Sequence, residues 1–187
     1  MAIALLIIDM QKAFFEDESL GKQQESLVGA CNKLISEARQ ANVGVYVIRT
    51  EHQRDKSTWT VSMLDDDQGF LFNGTEQAEP VDGLNIDGLP QLVKTRDSAF
   101  FGTDLLQRLR VLDVDTVVLA GVSTHNCVAQ TAADAYANNL RVSYATDATA
   151  STNDGYAQDV LKVLMDEYRQ QALGNDDVLK LFAQQET

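Results

Sequence analysis

The chain has 187 residues, 44% hydrophobic and 23% charged, which suits one soluble globular domain over 1–187 with a sizeable core. Its net charge of −13 leaves no basic face for phosphates, so nucleic acid is excluded as an expected partner and docking to an anionic membrane is disfavoured. The two cysteines, Cys31 and Cys127, stand far apart in unlike contexts, which gives no disulfide framework or CxxC metal site and points to a reducing cytoplasm.

The apolar run Ile3 to Ile8 lacks a basic leader before it and stops at Asp9, far short of the roughly 20 apolar residues of a membrane span, so it reads as a buried parallel strand. A helix follows over about Lys22 to Ala41, with Leu27, Cys31, Leu34, Ile35 and Ala38 on one face. Cys31 is therefore expected to be a small core residue. Asn42-Val43-Gly44 leads into a strand from Val45 to Ile48. From Glu51 to Leu89 the periodicity fades and Gly, Asp and Asn accumulate, the mark of a segment that is functional or covered by a partner. Within it Asp65-Asp66-Asp67 reads as a solvated acidic turn, since it lacks the glycine and distal glutamate of a calcium loop.

Leu92 to Lys94 is a short strand, and Thr103 is placed to cap a helix carrying Leu105, Leu106 and Leu109. Thr116 to Ala120 is a strongly β-branched strand, followed by Gly121 to Asn126 and a helix to about Asn138. A strand at Val142 to Ala145 and helices at Asp154 to Arg169 and Asp176 to Phe182 complete the pattern. This alternation predicts an α/β fold with a mainly parallel, doubly wound sheet and helices on both faces.

In such sheets ligands bind at the carboxyl ends of the strands. Asp9, Lys94 and Cys127 all fall there. A sulfur at a helix start has unpaired N–H groups and a partial positive charge beside it, which favour a thiolate and a developing oxyanion. A lysine adds to that stabilisation, and a carboxylate in reach can take the thiol proton and later deliver it to a leaving group. Nucleophile, base, cation and backbone donors together suit acyl transfer.

Four segments, in order, carry a resemblance to a known family. Ile7-Ile8-Asp9-Met10-Gln11 resembles the "IDMQ" opening of the isochorismatase-like hydrolases, and Lys94 through Leu105 resembles their K-x4-A/S-F-x-x-T-x-L segment. Gly121-Val122-Ser123-Thr124-His125-Asn126-Cys127-Val128, continuing to Asp134-Ala135, resembles their specific G-V-x-T-x-x-C-V-x-x-T-A-x-D-A block, and Asp147 to Ser151 their later D-A-x-A-S turn. The resemblance implies a three-layer Rossmann-like fold, with Cys127 as nucleophile, Asp9 as general base and acid, and Lys94 as the neighbouring cation. It implies an oxyanion hole of the Ser123 and Cys127 amides, with a cis peptide at Val122–Ser123. Gln11, Phe14 and Phe15 are expected to line the pocket, for a small-molecule substrate. A homo-oligomer, dimer or tetramer, is implied too, its interfaces covering part of the Glu51–Leu89 segment.

Departures from the family narrow the expectation. Nicotinamidases bind a metal through D-x-H spacing with a further histidine, whereas Thr50-Glu51-His52-Gln53-Arg54-Asp55 offers one histidine, so no metal and no cofactor are expected. The leading expectation is metal-independent hydrolysis of a C–N bond in a small amide, carbamoyl or ureido compound through a thioester. The alternative is isochorismatase-type vinyl-ether hydrolysis with Asp9 as general acid, in which Arg54 or Arg96 would pair with substrate carboxylates. A non-catalytic nucleotide-binding module is disfavoured, because no G-x-G-x-x-G or P-loop follows a strand.

Overall fold

The computed structural model describes residues 1–185. The run Ile3–Ile8 forms strand β1, buried at every position. It is followed by a short helix α1 (Glu18–Gly21) and the long helix α2 (Gln24–Gln40). Next come β2 (Gly44–Thr50), the one-turn helix α3 (Val61–Asp65), β3 (Gln91–Lys94), α4 (Leu105–Val111) and β4 (Thr116–Val122). The chain continues through α5 (Ala129–Ala137), β5 (Arg141–Ala150), α6 (Asp154–Tyr168), β6 (Gln171–Leu173) and α7 (Asn175–Phe182). The six strands form one sheet in the order β3-β2-β1-β4-β5-β6, with every neighbouring pair parallel.

Strand alternation divides the core into two layers. Ile3, Leu5 and Ile7 of β1 face the cluster built on α2 and α7, which contains Leu34, Ile35, Val178 and Phe182. Ala4, Leu6 and Ile8 face the opposite cluster, with Leu105, Leu109, Ala132 and Leu164 from α4, α5 and α6. Each fully buried Leu or Ile contributes about 1.5–3 kcal/mol, so this double facing explains why β1 is apolar throughout rather than alternating. Cys31 sits in the α2 layer with no exposure, and burial pushes its thiol up to about 12.

The chain winds outward from β1 to β2 and β3, then crosses back to β4 on the other side of β1. The crevice at such a reversal, outside the carboxyl ends of β1 and β4, is where open α/β sheets bind ligands. The strands approach closely there. A side chain at Gly121 would place its Cβ 1.9 Å from the Ile8 carbonyl oxygen, and the residue has φ +109°, so glycine alone fits. Leu119 faces Tyr144 but Gly121 faces Thr149, so β5 bulges beside the same point.

Most elements match their expected places, and the differences have local causes. Three short elements, α1, α3 and β6, lie outside the expectation. α1 and α3 span four and five residues, too few to show a period, and are started by Asp17 and Thr60 side chains accepting from backbone amides. β6 is a three-residue edge strand without a β-branched side chain. Asp104, not Thr103, holds the N-cap of α4; the Thr103 hydroxyl instead donates to the Ala99 carbonyl and accepts from Leu105 N. Asp65, Asp66 and Asp67 are exposed. The Glu51–Leu89 segment is tied back by bridges from Gln11 to Pro80 and from His52 to Phe72. No helix among the described residues is long and apolar enough to cross a membrane.

Candidate active site

Four neighbouring strands, in the order β3-β2-β1-β4, lead into the residues that define the crevice. Asp9 follows β1 with φ +51°, a left-handed conformation that turns the chain sharply at the strand end, and its amide donates to the Ile48 carbonyl at 2.9 Å. Lys94 ends β3 and pairs in register with Thr50, which ends β2. Cys127 lies in a π-type turn, Thr124–Val128, between β4 and α5.

The three sequence-predicted residues come together, and Thr50 joins them. The Lys94 ammonium donates to Asp9 Oδ2 at 2.8 Å and to Thr50 Oγ1 at 2.6 Å, and approaches Cys127 Sγ at 3.4 Å. The Thr50 hydroxyl in turn donates to Asp9 Oδ1 at 3.0 Å. Both side chains of the Lys94–Asp9 pair have no exposure, which a buried ion pair tolerates only when its remaining donors and acceptors are met, as Thr50 does here. Thr50 escaped the sequence reading because a threonine ending a strand carries no motif; the strand order, which puts β2 between β1 and β3, is the signal that finds it.

The electrostatics differ from the sequence expectation at the sulfur. Burial, followed by the Asp9 carboxylate, pushes the Cys127 thiol well above its ordinary value, and the opposing effect of Lys94 does not cancel them. Burial and Asp9 therefore work against the thiolate that the helix start and the lysine favour. For Lys94, burial favours the neutral amine, but the Asp9 carboxylate opposes it and the ammonium is held above its usual range. The arrangement sets the sulfur against a closed carboxylate–ammonium pair, with the Lys94 ammonium at 3.4 Å.

Residues 3–173 match the isochorismatase domain. The chain belongs to the isochorismatase family of hydrolases. It is 38% identical over 157 residues to a protein of Arabidopsis thaliana described as a probable inactive nicotinamidase, covering 79% of this chain and 80% of that one. A solved isochorismatase family protein of Desulfovibrio vulgaris superposes with a TM-score of 0.83 at 31% identity, over 98% of this chain and 99% of that one. N-carbamoylsarcosine amidase of Thermoplasma acidophilum does so with a TM-score of 0.80 at 28% identity, over 94% and 98%.

The remaining predicted positions of this isochorismatase-family chain fall around the crevice in different ways. The Val122–Ser123 peptide is cis, and the Ser123 carbonyl accepts from the amides of Asn126 at 3.0 Å and Val128 at 3.3 Å, so the cysteine turn wraps around it. Gln11 is fully buried and braces strand ends: its Nε2 donates to the Thr50 and Ala78 carbonyls, and its Oε1 accepts from Thr50 N at 2.8 Å. Phe14 packs edge-on against Phe70, with centroids 6.2 Å apart, and Phe15 belongs to the core layer over α2.

The loop after β2 is internally satisfied. Glu51 is held by Arg49 at 2.8 Å and by Asn73 at 2.6 Å, and His52 Nδ1 lies 3.0 Å from the Thr58 carbonyl. Arg96 donates to the carbonyls of Thr58, Thr95 and Trp59, while the Arg54 guanidinium lies 4.5 Å over the Phe72 ring. The other histidine, His125, packs on Tyr156 and contacts Ser151 Oγ, joining the cysteine turn to the end of β5.

Proposed function

We propose that this isochorismatase-family hydrolase cleaves the C–N bond of a small amide, carbamoyl or ureido substrate through a thioester on Cys127, without a metal. The observation that carries the reading is the Cys127 sulfur 3.4 Å from a Lys94 ammonium that is ion-paired to Asp9 at 2.8 Å.

Asp9 takes the thiol proton as the sulfur attacks the carbonyl carbon, forming a C–S bond and an oxyanion. Lys94 offsets the charge that moves from Asp9 to the reacting centre, and the Ser123 and Cys127 amides receive the oxyanion. Collapse breaks the C–N bond, and Asp9 passes its proton to the departing nitrogen. Water then attacks the thioester, Asp9 accepts its proton, the C–S bond breaks, and the sulfur is reprotonated as the acid leaves. The protonated thiol at rest suits this cycle, because the proton taken from sulfur is the one the leaving nitrogen needs.

The finer surroundings belong to the same reading. Free, buried Cys31 and Cys127 support a reducing cytoplasm, and the exposed apolar side chains Val61, Leu64 and Phe70 in one segment support a homo-oligomer, dimer or tetramer. Screening a panel of small amides for ammonia release, with wild type against Cys127→Ala and Asp9→Asn, tests the chemistry. Turnover is expected in wild type alone. Full turnover by a folded Cys127→Ala protein would overturn the thioester route and favour vinyl-ether hydrolysis with Asp9 as the acid.

A further inference from the structure

Cys127 Sγ has a second carboxylate beside it. Asp97, on the loop after β3, places Oδ1 3.9 Å from the sulfur. Its setting is the reverse of the first carboxylate's. Asp9 and Lys94 have no side-chain exposure, whereas Asp97 is exposed, so of the two carboxylates Asp97 is the one that solvent reaches. The adjacent cation does not neutralise it, because the Arg96 guanidinium is turned to the carbonyls of Thr58, Thr95 and Trp59. Asp9 and Lys94 cancel, which leaves the Asp97 charge uncompensated around the nucleophile.

That charge has a consequence for what lies over the sulfur. A carbonyl under attack carries an oxygen, a leaving group and an acyl-side substituent. The oxygen gains negative charge and must turn from Asp97 towards donors. One of the two substituents then faces a carboxylate acceptor. An N–H or ammonium there gains a charge-assisted hydrogen bond, and a carboxylate there meets like-charge repulsion. We propose that Asp97 is a specificity-determining residue, selecting at Cys127 amides or ureas with an N–H donor or ammonium on the acyl side of the scissile carbonyl and rejecting those with a carboxylate there. The substrate class rests on the amide-hydrolysis reading above; the charge selection at the sulfur does not.

Two measurements on wild type and Asp97→Asn separate these. The first follows alkylation of Cys127 by cationic 2-bromoethylammonium and anionic iodoacetate, with the modified peptide identified by mass. Their rate ratio cancels any general change in sulfur reactivity. The ratio of cationic to anionic rate is expected to fall about tenfold in Asp97→Asn, equivalent to about 1.4 kcal/mol, and the wild-type ratio should shrink with added salt, as an exposed charge demands. The second compares kcat/KM for glycinamide and oxamate, whose ratio should fall in parallel. An alkylation ratio unmoved by Asp97→Asn overturns the proposal whatever the substrates do. A ratio that moves while wild type releases ammonia from no amide supports the charge selection and sinks the amide reading. Turnover of amides with oxamate favoured over glycinamide leaves the amide reading standing and overturns the substrate class.

Discussion

The Thr50 hydroxyl donates to Asp9 Oδ1 at 3.0 Å while accepting from the Lys94 ammonium at 2.6 Å, so one side chain clamps both halves of the buried ion pair. Replacing it with valine keeps the shape and removes the clamp. Thr50→Val is expected to lower kcat by tenfold or more and to cost about 1–3 kcal/mol, the range for a buried polar group left unsatisfied. KM should move less, because Thr50 orients the proton acceptor rather than the substrate. Thr50→Ser, which keeps the hydroxyl, should recover most of the loss. Steady-state kinetics with denaturant titration checks both, and a Thr50→Val enzyme with unchanged kcat contradicts the clamp.

The state of the sulfur yields a less obvious expectation. A thiol reacts with alkylating agents only as its thiolate, so the rate rises with pH through the group's own titration. Because burial and Asp9 hold the Cys127 proton on, wild-type alkylation should be slow near neutrality and should climb into the alkaline range. Asp9→Asn removes a charge that raises the thiol and leaves Lys94, which lowers it. The pH–rate curve should therefore shift down in pH, with alkylation at about pH 8 faster by roughly tenfold, although the same variant no longer hydrolyses substrate. Lys94→Met should shift the curve the other way. An Asp9→Asn protein that alkylates no faster than wild type would falsify this assignment of charges.

Gly121 supports a third expectation, about folding. Its Cβ would meet the Ile8 carbonyl oxygen at 1.9 Å, and relief would have to come from β1 or β4, the two central strands. Backbone strain at φ +109° adds to that overlap. Gly121→Ala should therefore destabilise by about 3 kcal/mol or more and misplace both Asp9 and Cys127. Thermal unfolding reads the first effect and residual activity the second. By contrast, an added Cβ at Gly29 meets nothing within 4 Å, and Gly29→Ala in the middle of α2 should be neutral or stabilising.

How much of this was legible in the sequence depended on the range of the interactions. The apolar run of β1, the one-sided stripe of α2 and the β-branched β4 are local patterns, and they placed the sheet and the crevice. Asp9, Lys94 and Cys127 could be gathered because each follows a strand whose end the pattern marks. Thr50 and Asp97 could not. Their roles depend on which strand ends lie side by side and how far a loop reaches over the sulfur. The upward pull on the Cys127 thiol is hidden from the sequence for a related reason. A nearby lysine and a helix start are visible in sequence, but full burial beside a carboxylate exists only once the chain has folded. Gln11 likewise reads as a pocket residue next to Asp9, yet its amide is spent on the backbone of Thr50 and Ala78.

The loop after β2 carries the last expectation, on metal. A ligand must offer a lone pair, and the loop has two candidates, Glu51 and His52. Both oxygens of the Glu51 carboxylate are engaged, Oε1 by Arg49 and Oε2 by Asn73. The His52 ring presents Nδ1 to the Thr58 carbonyl, an acceptor, so that nitrogen carries the hydrogen and Nε2 keeps the ring's one lone pair. Burial also lowers the imidazole's affinity for a second proton. A catalytic metal ordinarily takes three protein ligands, whereas the described residues hold no group of three His, Cys, Asp or Glu side chains here, and Glu51 would have to surrender its ties to Arg49 and Asn73. Activity should therefore survive exhaustive chelation, and zinc, iron or manganese added back should not raise it. His52→Asn should act instead on the loop, lowering the thermal midpoint of unfolding. Loss of turnover on chelation, restored by one of these metals and abolished in His52→Asn, would show that the loop rearranges into a metal site.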